Sequence, residues 1–102
     1  MGEAVGLLEV YGLAAAFAAG DAACKAANVT IEAFDRNKPA KAETLSVPLI
    51  ILVKIRGSVS DVEAGLRAAE TAAIQVSGVV ARHIIASPAE DTEKMLEIDA
   101  LC

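Results

Sequence analysis

The chain has 102 residues, 55% of them hydrophobic, and a formal net charge of −5 at pH 7. This length, with no separating linker, predicts one domain over residues 1–102. Nucleic-acid backbones and anionic membranes bind basic faces, so the acidic balance argues against both as partners. No apolar segment near the start reaches the roughly 20 residues of a membrane helix. Two cysteines, Cys24 and Cys102, fit a reduced compartment, so we expect a soluble cytoplasmic protein.

The first part of the chain predicts a strand, a helix and a second strand. An apolar run at 4–9 precedes an Ala-rich stretch at 13–27, which favours helix. Apolar residues at spacings of four, three and four predict the stripe of this helix that faces the core. They are Leu13, Phe17, Gly20 and Cys24. Cys24 is therefore expected to be a small buried hydrophobe. Residues 29–34 then alternate between apolar and polar, as in a half-buried strand.

A long polar segment, "DRNKPAKAETLSVP" at 35–48, separates that strand from a third strand at 48–56. The third strand is apolar on one face, as expected for a core strand. Ile50 and Leu52 make its other face apolar too, before Lys54 and Arg56 turn it polar. Exposed apolar surface of this kind marks interfaces, so Ile50 and Leu52 are predicted to contact a partner subunit.

The second half predicts another helix and strand, followed by a polar tail at 90–102. "SDVE" at Ser60–Glu63 is typical of a capping box and predicts that a helix begins there. A helical stripe predicts its buried face: Val62, Leu66, Ala69, Ala73 and Val76. A fourth strand begins at Val79 and is stopped by Pro88, and the tail has four apolar anchors: Met95, Leu96, Ile98 and Leu101.

The predicted order is βαββαβ, an α/β domain of the α+β type. Two helices cover one face of a four-stranded antiparallel sheet, as in variants of the ferredoxin-like fold. The other sheet face is left uncovered, which predicts a homo-oligomer.

The sequence contains few residues suited to catalysis or metal binding. A catalytic site needs a nucleophile, base or metal with orienting partners, and this chain has one histidine and two cysteines without ligand spacing. His83 lies in an apolar strand, where a structural or interface role is the commoner one. No Gly-rich phosphate loop is present. We therefore predict no catalytic residue, no metal and no cofactor.

Two long segments carry a family resemblance. "AVGLLEVYGLAAAFAAGDAACKAANV" at 4–29 and "VKIRGSVSDVEAGLRAAETAA" at 53–73, with "HIIASP" at 83–88, resemble bacterial microcompartment shell-domain proteins. The resemblance implies cyclic homo-hexamers that tile, with other shell proteins, into a polyhedral shell around metabolic enzymes. It also implies a metabolite pore on the six-fold axis. "LEVYG" and "FDRNKP" resemble a subgroup of choline-type or other glycyl-radical-enzyme compartments.

The resemblance also assigns sites. Lys25 and Asn28 match positions at the family's hexamer–hexamer edge, as do Ser87 and Pro88, although Ser87 replaces an arginine common there. In place of a short Gly/Ser turn at the pore, this chain has the 35–48 segment, whose net charge is +1. The residues predicted to modify the pore are Asp35, Arg36, Asn37, Lys38, Pro39, Lys41, Glu43, Thr44 and Ser46.

The same element order allows two alternatives. Trimeric signalling proteins of the nitrogen-regulatory type carry a long loop between their second and third strands and use it to contact a target. Small ferredoxin-like regulatory domains bind ligands on a related scaffold. Oligomer size separates these classes, because a shell protein closes at six subunits and the rivals at three or two.

Overall fold

The computed structural model describes residues 3–37 and 49–101. Seven elements follow in chain order: β1 Ala4–Tyr11, α1 Leu13–Ala26, β2 Thr30–Asn37, β3 Ile50–Gly57, α2 Val59–Val76, β4 Val79–Ile85 and α3 Glu90–Leu96. The strands form one sheet in the order β2-β3-β1-β4, and every neighbouring pair is antiparallel. The predicted βαββαβ order and antiparallel sheet are confirmed. The seventh element, α3, lies in the segment predicted to be a polar tail.

The core lies between the sheet and the helices α1 and α2. It is formed by side chains from β1, β3 and both helices, among them Leu8, Val10, Ala16, Ala19, Ile51, Val53, Ile55, Val62 and Leu66. Gly6 of β1 lets α2 approach the sheet, because a Cβ added there would lie 2.8 Å from Cγ1 of Val62. Alternate residues of β1 and β3 therefore face the helices, as the period of two in β3 predicts.

The buried face of α1 differs from the predicted one. Its buried residues are all small: Ala15, Ala16, Ala19, Gly20 and Ala23. Phe17 is 52% exposed, and Leu13 and Cys24 are exposed as well, so the prediction that they face the core is wrong. The physical reason is close packing, because α1 packs against α2 and the sheet through a face that holds only alanine and glycine.

Helix α2 begins two residues earlier than the predicted capping box. Ser58 is the N-cap, and its Oγ accepts a hydrogen bond of 3.1 Å from the backbone N–H of Asp61. The same hydroxyl donates to Oδ2 of Asp61 at 2.9 Å. Ser60 therefore lies inside the helix. Of the predicted stripe, the residues from Val62 to Ala73 are buried, whereas Val76 at the last turn is exposed.

Strand β2 is longer than predicted and takes up the start of the 35–48 segment. Its residues Asp35, Arg36 and Asn37 pair with Leu52, Ile51 and Ile50 of β3. The prediction that these three residues belong to a loop is therefore wrong, because they continue the antiparallel pairing of β2 with β3. Lys38, Pro39, Lys41, Glu43, Thr44 and Ser46 lie outside the described residues.

The second sheet face is covered in part by the chain itself. Lys54 and Arg56, expected to make this face polar, are 1% and 8% exposed and bind the C-terminal segment, residues 90–101. Ile50 is 8% exposed, whereas Leu52 is half-buried. The expectation of a wholly uncovered face is thus wrong over β3. Ile50 is already buried within the subunit, and Leu52 retains surface for a partner.

Candidate assembly surfaces

The four predicted edge positions gather at one end of the sheet. The register places Ile85, Val5, Arg56 and Thr30 in one row across the four strands. Asn28 immediately precedes this row and Ser87 and Pro88 follow it, while Lys25 lies in the last turn of the helix that leads to it. Four strands at about 4.8 Å spacing make this end roughly 14 Å wide. Positions 25 and 28, beside β2, and positions 87 and 88, after β4, therefore lie at the same end of the sheet but at its two opposite edges.

The connection between β2 and β3 leaves the sheet at the opposite end. There Asn37 pairs with Ile50, which pairs in turn with Tyr11. Two backbone hydrogen bonds connect the chain at this same end of the sheet. The Gly12 N–H donates to the Leu49 carbonyl, and the Tyr11 N–H donates to the Gly78 carbonyl. Strands of eight residues separate the two ends by about 25 Å. Of the predicted pore residues, the described ones, Asp35, Arg36 and Asn37, thus lie toward the end of the sheet opposite the edge positions.

Lys25 is an exposed cation at the edge end and makes an ion pair within α1. Its Nζ lies 2.8 Å from Oδ2 of Asp21, one turn earlier in α1, and its side chain is 76% exposed. The hydrogen bond and the charge of Asp21 raise the pKa of Lys25. Lys25 is therefore a cation at neutral pH, and its stem is free to lie against another surface.

The other edge positions differ in what they expose. The backbone N–H of Asn28 donates to Oδ1 of Asp61 at 3.4 Å, which ties this turn to the start of α2. Asn28 and Ser87 are exposed, whereas Pro88 is buried. Pro88 therefore shapes the turn after β4, while Lys25, Asn28 and Ser87 offer side chains to a partner.

Arg56 binds α3 to the second sheet face. Its two terminal nitrogens form a bidentate pair with the Glu93 carboxylate at 2.8 and 2.7 Å. They also donate to Oε1 of Glu32 at 3.2 Å and to the carbonyl of Glu3 at 2.8 Å. The Glu93 hydrogen bond raises the pKa of Arg56, and the guanidinium lowers the pKa of Glu93. One guanidinium thus joins the N-terminus, β2 and α3.

Lys54 and Asp35 hold the residues after α3. Lys54 Nζ lies 2.7 Å from Oδ2 of Asp35 and donates to the carbonyl of Ile98 at 2.5 Å. The Ala100 N–H donates to Oδ1 of Asp35 at 2.9 Å, and the Arg36 N–H donates to the Ala100 carbonyl at 3.0 Å. Asp35, predicted as a pore residue, therefore has a structural role, because it neutralises a buried ammonium and fixes the C-terminal segment.

We call the contacts of Lys54 and Arg56 with the C-terminal segment the C-terminal anchor. It was not predicted from the sequence, although the sequence contains a pattern that indicates it. Lys54 and Arg56 are two cations on alternate positions of an otherwise apolar strand, and the tail is rich in acids. A buried cation needs a carboxylate partner, so the pairing of this strand with an acidic segment could have been expected. The specific partners depend on tertiary structure: Glu93 on the path of the tail, and Asp35 on the pairing of β2 with β3.

Groups suited to catalysis or metal binding do not cluster in the part of the chain that the structure describes. Over residues 3–37 and 49–101, no three His, Cys, Asp or Glu side chains lie close enough to hold a metal ion. His83 is exposed on β4, and Cys24 is an exposed free thiol. None of the helices in these ranges is long and apolar enough to cross a bilayer.

Comparison with known proteins gives a consistent result. The family model described as the BMC domain matches residues 4–88, from the start of β1 to Pro88. The carboxysome shell protein CcmK2 of Synechococcus elongatus is 36% identical over 97 residues, which cover 93% of this chain and 86% of that protein. The bacterial microcompartment shell protein PduA of Salmonella typhimurium is 36% identical over 94 residues, covering 92% and 90%.

A solved structure supports the fold. The crystal structure of a microcompartment protein from Desulfitobacterium hafniense superposes with a TM-score of 0.71 at 24% identity. The match covers all of this chain and 51% of that protein, so this chain spans about half its length. Strand order, helix placement and the family match therefore agree.

Proposed function

Because this chain belongs to the BMC-domain family, we propose that it is a structural shell protein of a bacterial microcompartment. The observation that carries the proposal is the family match over residues 4–88, together with two relatives that are shell proteins of different compartments. The protein would then be located in the microcompartment shell, in the cytoplasm. The trimeric signalling and ferredoxin-like regulatory alternatives lose their support, since neither is represented among these relatives.

The proposed subunit forms a homo-hexameric ring with the β2–β3 connection at the axis and the edge residues at the rim. Support comes from the sheet register, which separates the row beside Asn28 and Ser87 from the row of Asn37 and Ile50 by the full strand length. A ring needs one end of each subunit at its centre and the other at its periphery. Rings would then tile with copies of themselves and with other shell proteins, enclosing enzymes.

Electron microscopy of the purified chain tests the shell function. We expect ring particles that extend into sheets, tubes or closed shells as salt and concentration are varied. Dispersed particles without lateral order under all conditions would contradict a shell role, even if rings form.

Lys25 at the rim gives a sharper test of tiling. Lys25→Asp should leave the ring intact and abolish sheets, because the side chain contributes to no core contact and the reversed charge would repel the facing rim. Arg67→Asp is the matched control, since Arg67 is also an exposed cation on a helix but lies in the middle of α2, away from either end of the sheet. Sheets that persist in the Lys25 variant, or that vanish equally in both, would remove Lys25 from the proposed edge.

Ser87 should weaken the same contact. It is exposed beside the rim but carries no charge and few atoms to reach a neighbour. Ser87→Arg is expected to give flatter and more extensive sheets, as the guanidinium gains backbone carbonyl partners across the edge. Unchanged sheet size and curvature at matched salt would contradict this.

The segment after β2 is proposed to modify a pore at the ring axis. With Asp35 assigned to the C-terminal anchor, residues 36–48 contain three basic side chains and one acid, a net charge of +2. Six copies around an axis would favour anionic metabolites over cations. Replacing residues 38–47 with a short Gly-Ser turn should keep the ring and weaken this preference, because it removes one of the two net positive charges per subunit and leaves Arg36. Equal anion permeability of shells made from the two forms would contradict the assignment.

The remaining proposals concern chemistry and pathway. We infer a non-enzymatic role without cofactor, supported by relatives that are structural proteins. The resemblance of "LEVYG" and "FDRNKP" to the choline or glycyl-radical-enzyme subgroup stays a prediction. Co-expression with enzymes of that class and of other compartments, followed by co-purification, would discriminate between pathways.

A further inference from the structure

The C-terminal segment, residues 90–101, lies on the second sheet face without close backbone packing. Its helix α3 has seven residues, fewer than an isolated helix needs to be stable in water. Among the described residues, the extensive backbone contacts join the four strands with α1 and α2, and none of them involves α3. An element held in this way opens locally at a lower free energy than the whole domain.

The apolar contacts of the segment are also limited. Leu96 is buried at 6% exposure, and Leu101 packs partly against the core. Met95 and Ile98 are 64% and 46% exposed, so they add little to the attachment. The polar contacts of the C-terminal anchor therefore contribute much of what holds the segment in place.

The sheet face beneath the segment is a cationic site. The side chains of Lys54 and Arg56 project from β3 toward the segment, and these residues are 1% and 8% exposed. The Nε N–H of Arg56 is buried and has no acceptor among the described residues. The face therefore has two cations and one unused donor, which suits a ligand rich in carboxylates.

The segment is itself such a ligand. Residues 90–101 contain five acids and one base, a net charge of −4 in a chain of −5. Glu93 supplies the bidentate carboxylate for Arg56, Ile98 supplies the carbonyl for Lys54, and the Ala100 N–H binds the same face. The face and the segment are therefore complementary in charge and in hydrogen bonding.

The segment starts at an edge of the sheet. It follows the edge strand β4 through residues 86–89, which are exposed apart from Pro88, and it must cross β1 to reach β3 and β2. The eight steps from Ile85 to Glu93 span at most about 26 Å when extended, against about 14 Å for the width of the sheet. A released segment is therefore long enough to reach a site outside its own subunit.

We propose that the C-terminal segment is a detachable strap. It leaves its own sheet face while the rest of the subunit stays folded, and it binds the same face of a second copy of this chain. Exchange between copies costs little, because every contact broken in one subunit is remade in another. This rests on the proposed function only in that a self-assembling shell protein keeps second copies at high effective concentration.

Hydrogen exchange tests whether the strap opens alone. The amides of Glu93, Ile98 and Ala100 are hydrogen-bonded, as are those of β1, an inner strand of the sheet. At pH 7 the protection factors of the three strap amides should be about 100-fold below those of β1 in the unaltered chain. Equal protection would show that the segment opens only with the whole subunit, and would overturn the proposal.

A fluorescent peptide of residues 86–101 tests the binding site. The receptor is the full chain carrying Glu93→Gln and Leu96→Ser, which weaken its own strap, and circular dichroism verifies that it is folded. By anisotropy the peptide should bind this receptor about tenfold tighter than the unaltered chain, where the resident strap competes. In the peptide, Glu93→Gln should weaken binding about tenfold, whereas Glu97→Gln, a matched change at an exposed position, should not.

Cross-linking in the full chain tests exchange between copies. The Arg36 N–H donates to the Ala100 carbonyl at 3.0 Å, so positions 36 and 100 are adjacent when the strap is bound. In chains carrying Cys24→Ser and Cys102→Ser, one copy receives Arg36→Cys and another Ala100→Cys. After co-incubation, a short bismaleimide should join the two into a covalent dimer on a denaturing gel. Asp91→Cys in place of Ala100→Cys is the matched control for proximity and should give little dimer.

The outcomes separate the strap from the shell function. A peptide that fails to bind the folded receptor, or that binds equally well with Glu93→Gln and with Glu97→Gln, would overturn the site. Peptide binding without covalent dimers, or equal dimer yields with Asp91→Cys and Ala100→Cys, would overturn the exchange between copies. Sheet formation by the unaltered chain is measured separately and decides the proposed function.

Discussion

Removal of the Asp35 carboxylate should detach the C-terminal segment and destabilise the subunit. Asp35→Ala leaves the Lys54 ammonium, 1% exposed, with the Ile98 carbonyl as its remaining partner among the contacts described. Breaking a buried ion pair by removing one partner costs about 3–5 kcal/mol. Asp35 retains 20% exposure, so water can reach the site and we expect the lower end, about 3 kcal/mol.

Urea unfolding at one fixed protein concentration measures this loss, because assembly adds concentration-dependent stability. Asp21→Ala is the matched control, since it removes an aspartate from an exposed helical pair and should leave the midpoint unchanged. Asp35→Ala combined with Lys54→Met should recover most of the stability, as the buried charge is then gone. A midpoint for Asp35→Ala equal to that of Asp21→Ala would refute the anchor and return Asp35 to the pore segment.

Two further predictions concern α3 and the core. Because the pKa of Glu93 is lower in the folded than in the unfolded state, its pair with Arg56 stabilises α3 above the unfolded value of about 4.3, and this contribution is lost as the pH falls through the folded value. The hydrogen-exchange protection factors of residues 90–96, which are corrected for the slower intrinsic exchange at low pH, should therefore fall on acidification, and Glu93→Gln should show low protection already at pH 7. Gly6→Ala should destabilise the subunit by about 1–3 kcal/mol in the same urea assay, because its Cβ would meet Val62 at 2.8 Å. Gly78→Ala, with 3.3 Å to a tyrosine ring edge, should cost less, and equal midpoints for the two would contradict the packing of α2 on β1.

The strand pattern allowed most of the fold to be predicted. The alternation in β3 assigned Ile51, Val53 and Ile55 to the core, and the period of two holds along the pairing of β3 with β1. In β2 the predicted common face of Val29, Ile31 and Ala33 is wrong, because the register shifts between Ile31 and Ala33. The α2 stripe was similarly clear, because large residues at Val62 and Leu66 stand among alanines.

Periodicity failed for α1 because this helix has two apolar faces. Leu13, Phe17 and Cys24 form a regular stripe, but the alanine face packs more closely against α2, and this preference depends on the partner helix. The C-terminal anchor was likewise beyond local reasoning, since Lys54 and Ile98 are 44 residues apart. The family resemblance identified Lys25 and Asn28 as edge positions; the register adds that Ser87 lies at the same end, while their contact with another ring stays a prediction.

Native mass spectrometry of the unaltered chain is the most direct test of the central claim that this protein is a ring-forming shell subunit. We predict one dominant species at six times the chain mass of 10.4 kDa, stable at micromolar concentration. A dominant monomer, dimer or trimer over the same concentration range would contradict the account.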